Sequence, residues 1–165
     1  MNTPPVLLLD IDGVINVRPN VGGWDRPPVK VNAGIPVYLE PRLVDRLKDI
    51  HNRGLAEVRW CTTWCGHPDQ LDILERILAV HFDRAFGDRP MNKTWAEMKV
   101  EAALAVLEEG RRLIWVDDDE VDAGRRLFPA IAKAAAEGRA LLVQPTSERG
   151  LQPEAIDAIE AFANA

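Results

Sequence analysis

Short, unbroken apolar runs alternate along the chain with stretches of helical spacing. Val6–Leu9 is continuously apolar and ends at Asp10, as expected of a strand buried on both faces of a parallel sheet. The β-favouring triplets Val29–Val31 and Val37–Leu39 flank a turn at 32–34 and predict a small hairpin. From Pro41 the spacing turns helical, with Leu43, Val44, Leu47 and Ile50 on one face and Gly54 placed to stop the helix. A strand is predicted over Ala56–Cys61. A second helix opens at Pro68 and carries Leu71, Ile73, Leu74, Ile77 and Leu78. Thr94 with Glu97 three residues later has the spacing of a capping box and starts a third helix toward Gly110. Leu113–Val116 is again short and apolar, and it ends in Asp117, Asp118 and Asp119. A helix over Val121–Glu137, a strand over Ala140–Val143 and a last helix from Pro153 complete the series.

This alternation predicts an α/β fold, a Rossmann-like three-layer sandwich around a central parallel sheet. Ligands in such folds sit beyond the carboxyl ends of the strands, so both acidic tips would share one edge. A length of 165 residues, 47% hydrophobic and 28% charged, fits one domain over 1–165. Seven of the 12 prolines fall in the first 41 residues, so 16–40 is read as a flap or hairpin and not as a separate cap. The net charge of −6 opposes loose attraction to nucleic acid or anionic lipid. Two cysteines are too few for a disulfide framework, and no apolar run reaches the roughly 18 residues of a membrane span. The start, MNTPPVLLLD, has no basic flank or full apolar signal core, so a cytoplasmic location is expected.

Asp10 and Asp12 lie two residues apart at a strand end, where side-chain direction repeats every second residue. Bringing them near Asp117 and Asp118 would gather up to four carboxylates, which must raise each other's pKa or take a cation. Oxygen-only ligands at a cleft mouth favour magnesium, usually completed by phosphate oxygens. Phosphate chemistry is therefore expected.

The segments LLLDIDGVIN, AEVRWCTT and LIWVDDDEVD resemble the first, second and fourth signatures of the haloacid dehalogenase (HAD) superfamily of phosphohydrolases, whose third is a lysine between them. The series spans residues 10–118. WCTTW and WVDDDE are most similar to small actinobacterial and phage-type members related to those described with RNA-repair proteins. The resemblance implies a HAD-like fold with a minimal cap and a magnesium-dependent phosphatase. Asp10 would be the nucleophile that forms an aspartyl phosphate, and Asp12 the general acid and base. Thr62 would hydrogen-bond the phosphoryl oxygens, with Thr63 beside it. Magnesium would be held by Asp10, the Asp12 carbonyl, Asp118, and Asp117 directly or through water. Lys99 is preferred as the lysine because the short helix after it gives the family's usual lysine-to-acid spacing, whereas Lys93 lies six residues farther back. The Thr94 capping box argues the other way, since it would bury Lys99 and leave Lys93 at the mouth.

Each of these features also has a purely structural explanation. Asp10 and Asp12 could be solvated loop acids, and Asp117–Glu120 a helix-start cluster favoured by the helix dipole. Asp122 is left outside the site. Cys61, Cys65 and His67 lack a recognised zinc spacing and read as buried thiols beside a loop histidine. Trp60, Trp64 and Trp115 could stack on a base but more often pack. Arg42, Arg46, Arg53 and Arg59 read as a solvated face paired with acids. The expected substrate is a phosphate ester, either a small molecule or a nucleotide or nucleic-acid end. The alternative is a non-catalytic regulatory domain that binds magnesium and phosphate. A phosphate-accepting receiver domain is disfavoured because it places an acidic pair first, and dehalogenation because it needs no magnesium.

Overall fold

The computed structural model describes residues 3–165. Met1 and Asn2, which begin the expected domain and the expected leaderless N-terminus, lie outside the described residues. The central sheet is parallel throughout. Its strands are β1 (Val6–Leu9), β4 (Glu57–Trp60), β5 (Asp83–Arg84), β6 (Leu113–Val116) and β7 (Ala140–Val143), in the order β5-β4-β1-β6-β7. The remaining pair, β2 (Val29–Asn32) and β3 (Pro36–Leu39), forms the antiparallel hairpin.

Strand β1 is fully buried, and its alternation divides the core. Leu7 and Leu9 face a layer built from α1 (Pro41–Asn52), α2 (Pro68–Leu78) and α6 (Pro153–Asn164), through Leu43, Leu47, Leu71, Leu74, Ile156 and Ile159. Val6 and Leu8 face α3 (Trp95–Glu108) and α5 (Pro129–Ala136), through Val100, Ala103, Val106 and Ile131. Helix, sheet and helix make the three layers that the alternation predicts.

The predicted helix over Val121–Glu137 is in fact two, α4 (Val121–Leu127) and α5. Pro129 disfavours helical backbone at the residue before it, and Phe128 is extended at φ −119°, ψ 99°. The strand predicted over Ala56–Cys61 is trimmed to Glu57–Trp60, and a 3-10 turn, Thr63–Gly66, follows it. Strand β5, at two residues, is too short to leave a periodic signal. Among the described residues no helix is long and apolar enough to cross a membrane.

Register fixes what happens at the carboxyl edge. Leu9 pairs with Trp60 on one side and Val116 on the other. The pairing runs one step further, with Asp10 N–H donating to Val116 O (3.0 Å) and Cys61 N–H to Leu9 O (2.9 Å). The ends of β1, β4 and β6 are thus level, and the residues that follow each strand meet at one edge.

Candidate active site

Asp10 follows the central strand and is buried to 5% exposure. One carboxylate oxygen accepts from Ile11 N–H at 2.7 Å and the other from Lys99 Nζ at 2.6 Å. Lys99 reaches this point from the second turn of α3, a position set by the Thr94–Glu97 capping box, in which Glu97 N–H donates to Thr94 Oγ1 at 3.2 Å. The same ammonium lies 2.7 Å from Asp117 Oδ2, a close ion pair between two buried groups. Asp117 Oδ1 is committed elsewhere, accepting from Asp119 and Glu120 N–H at 3.0 and 2.9 Å, which fixes the turn between β6 and α4.

Burial pushes the Asp10 carboxyl up to about 7; Lys99 opposes the rise and Asp117 adds to it. Burial alone would lower the Lys99 ammonium, but Asp10 and Asp117 outweigh it and hold it above its ordinary value. Asp118, half-buried, is raised by burial and then by Asp117. Carboxylate oxygens of Asp10, Asp117 and Asp118 lie within 4.8 Å of one another. Three carboxylates that bring hard oxygen donors this close together, with a single ammonium among them, fit a divalent cation.

Asp118 approaches through Gly13. A Cβ on Gly13 would lie 2.1 Å from Asp118 Oδ2, and its φ of +71° is left-handed, so glycine is required twice over. The expected gathering of four carboxylates comes to three, because the Asp12 carboxylate stays outside this cluster. Alternation by two holds only within a strand, and the chain leaves β1 at Leu9 for a tight turn. In that turn Val14, Ile15 and Asn16 N–H all donate to Ile11 O. Asp12 is exposed and takes its hydrogen bonds from Asn16 and Trp64.

Thr62 is fully buried at the head of the 3-10 turn, and its hydroxyl oxygen accepts from Trp64 N–H at 3.4 Å. Thr63 is half-buried and opens that turn. Lys93 is elsewhere, at the helix mouth, with Nζ 2.7 Å from both carboxylate oxygens of Glu101.

Residues 6–156 match the family described as HAD domain in Swiss Army Knife RNA repair proteins. The chain belongs to that family. None of the curated proteins and none of the solved structures matches it. In this HAD domain the two thiols sit in different core layers, Cys61 with the α3 side and Cys65 with the α1 side. Burial raises both thiol pKa values, and neither thiol joins a metal-capable cluster among the described residues. Trp60 and Trp115 are fully buried packing residues. Arg42, Arg46, Arg53 and Arg59 are each ion-paired, to Glu40 and Asp25, Asp157 and Glu160, Asp49, and Glu57 and Glu109 respectively. Asp122 is exposed and paired with Arg125. Sequence reasoning passed over Asn16 and the polar edge of Trp64. The one polar side chain in the apolar run VINV was the available signal for Asn16.

Proposed function

We propose that the chain is a magnesium-dependent phosphatase that hydrolyses a phosphate monoester through an aspartyl phosphate on Asp10. The observation that carries this reading is a buried carboxylate at the end of the central strand, held by a buried ammonium beside two further acids. Nucleophile and compensating positive charge coincide there, as attack on an anionic phosphate requires.

In the first half-reaction a carboxylate oxygen of Asp10 bonds to phosphorus as the ester P–O bond breaks, and the leaving oxygen takes a proton from Asp12. In the second, Asp12 takes a proton from water. The water oxygen bonds to phosphorus, and Asp10 leaves as a carboxylate with inorganic phosphate released. Lys99 offsets phosphoryl charge. Thr62 uses its oxygen to accept from Trp64, leaving its hydroxyl proton to donate to a phosphoryl oxygen, with Thr63 alongside. Asp10, Asp118 and the Asp12 carbonyl, with Asp117, would hold magnesium, which when bound supplies Lewis-acid polarisation and offsets repulsion between nucleophile and phosphate.

For the substrate we favour a phosphorylated nucleic-acid end. The family description names RNA repair proteins, and a loop and the β2–β3 hairpin, with no helical cap, lie between β1 and α1, which suits a bulky ester. The test is phosphate release from an aryl phosphate and from 3′- and 5′-phosphorylated oligonucleotides, with magnesium or with chelator. Magnesium-dependent release that Asp10→Asn abolishes is expected. No release from any ester, with magnesium and phosphate still bound, favours the regulatory binding domain.

A further inference from the structure

We propose that Trp64 and Asn16 are positioning residues that aim the Asp12 carboxylate, and that Asn16 makes this aim depend on the hairpin. Trp64 Nε1 donates to Asp12 Oδ2 at 2.8 Å, and Asn16 Nδ2 donates to Asp12 Oδ1 at 2.7 Å. Asp12 is otherwise exposed, and a free carboxylate there would turn among rotamers in water. Two donors, one on each oxygen, fix both its direction and the plane of the group.

The two anchors differ. Trp64 is 4% exposed within the core layer on the α1 side, so its N–H is a rigid reference. Asn16 is brought back over Asp12 by the turn after β1, and its Oδ1 accepts from Tyr38 N–H of β3 at 3.0 Å. A carboxylate only accepts and a backbone N–H only donates, so the amide has one orientation that satisfies both. The position of the hairpin backbone thereby helps to set that of the Asp12 carboxylate. The C=O of the same Tyr38 accepts from Val17 N–H at 3.1 Å, so both backbone polar groups of Tyr38 tie the hairpin to the turn after β1.

This inference rests on the reading of Asp12 as proton donor to the leaving oxygen. A misplaced donor slows esters whose leaving oxygen needs a proton more than those whose leaving group departs as an anion. The experiment compares kcat/KM for 4-nitrophenyl phosphate with that for the best alkyl ester among glycerol phosphate and 3′- and 5′-phosphorylated oligonucleotides. It uses the wild type and Trp64→Phe, which keeps an apolar ring but loses the N–H. Asn16→Ala, on the half-buried side, is the second variant. The alkyl ester is expected to lose at least about tenfold more than the aryl ester in either folded variant. Equal losses on both esters, no loss, or a wild type that cleaves only the aryl ester would overturn the assignment. A wild type inert toward every ester would instead bring down the phosphatase reading itself.

Discussion

Lys99 Nζ stands 2.6 Å from Asp10 Oδ2, joining residues 89 positions apart in the chain. Both partners are buried, and the same ammonium serves Asp117. An ion pair taken out of water this completely is a weak source of stability by itself. Its place at the carboxyl edge of the central strand instead sets one ammonium among the clustered acids Asp10, Asp117 and Asp118. The capping box that seemed to count against Lys99 is what delivers it, because burying the second turn of α3 aims the side chain inward across the sheet edge.

Replacing Lys99 by Met should abolish turnover and destabilise the fold by about 3–5 kcal/mol, since two buried carboxylates lose their only lysine partner. Lys93→Met breaks only an exposed pair with Glu101 and should change stability by less than about 1 kcal/mol with turnover retained. Urea unfolding and phosphate release on both variants check this. Full activity in Lys99→Met contradicts the site.

Gly13→Ala should act on Asp118. The added methyl group meets the Asp118 carboxylate and forces a left-handed backbone on alanine. Stability should fall by about 1 kcal/mol or more, and magnesium affinity by about tenfold or more, because a supporting contact to a ligand is displaced. Calorimetric titration with magnesium, beside thermal unfolding, separates the two effects. Unchanged affinity would show that Asp118 is not a ligand.

Burial raises the Asp10 carboxyl of the metal-free folded protein to about 7, above the ordinary 3.8 of an unfolded chain. Between those values the folded state binds more protons, so this group's contribution to stability is greatest at low pH and falls as pH rises toward 7. In chelator, wild type should lose roughly 1 kcal/mol or more relative to Asp10→Asn between pH 5 and pH 8. Denaturant midpoints of the two proteins at both pH values measure the difference. Parallel pH dependence in the two proteins would rule out a buried, raised Asp10.

Much of this architecture is legible in sequence for a physical reason. A strand buried on both faces must be continuously apolar, and the runs at Val6–Leu9 and Leu113–Val116 match β1 and β6 residue for residue. The acids that follow them fall on one edge because parallel register leaves no other place. Local backbone chemistry defeated the reading elsewhere. Pro129 divides a helix whose apolar periodicity continues across it, and a two-residue β5 carries no period. Within the site, Asp10, Asp117 and Asp118 follow from strand ends and Lys99 from the spacing that the family resemblance implies, but the orientation of Asp12 follows from neither. It depends on a turn and on the N–H of a tryptophan, features that hydrophobic pattern does not encode.

In the proposed reaction phosphorus passes through a covalent bond to Asp10. Asp12→Asn should still be phosphorylated by an aryl phosphate, because nitrophenolate leaves without a proton, but should hydrolyse the intermediate slowly. Acid quench of that variant with labelled substrate and magnesium, followed by peptide mapping, measures it directly. About one base-labile phosphoryl group per chain is expected, on the peptide that contains Asp10, and none in the Asp10→Asn, Asp12→Asn double variant. Label on any other residue, or a wild type that turns over while no variant accumulates label, would contradict it.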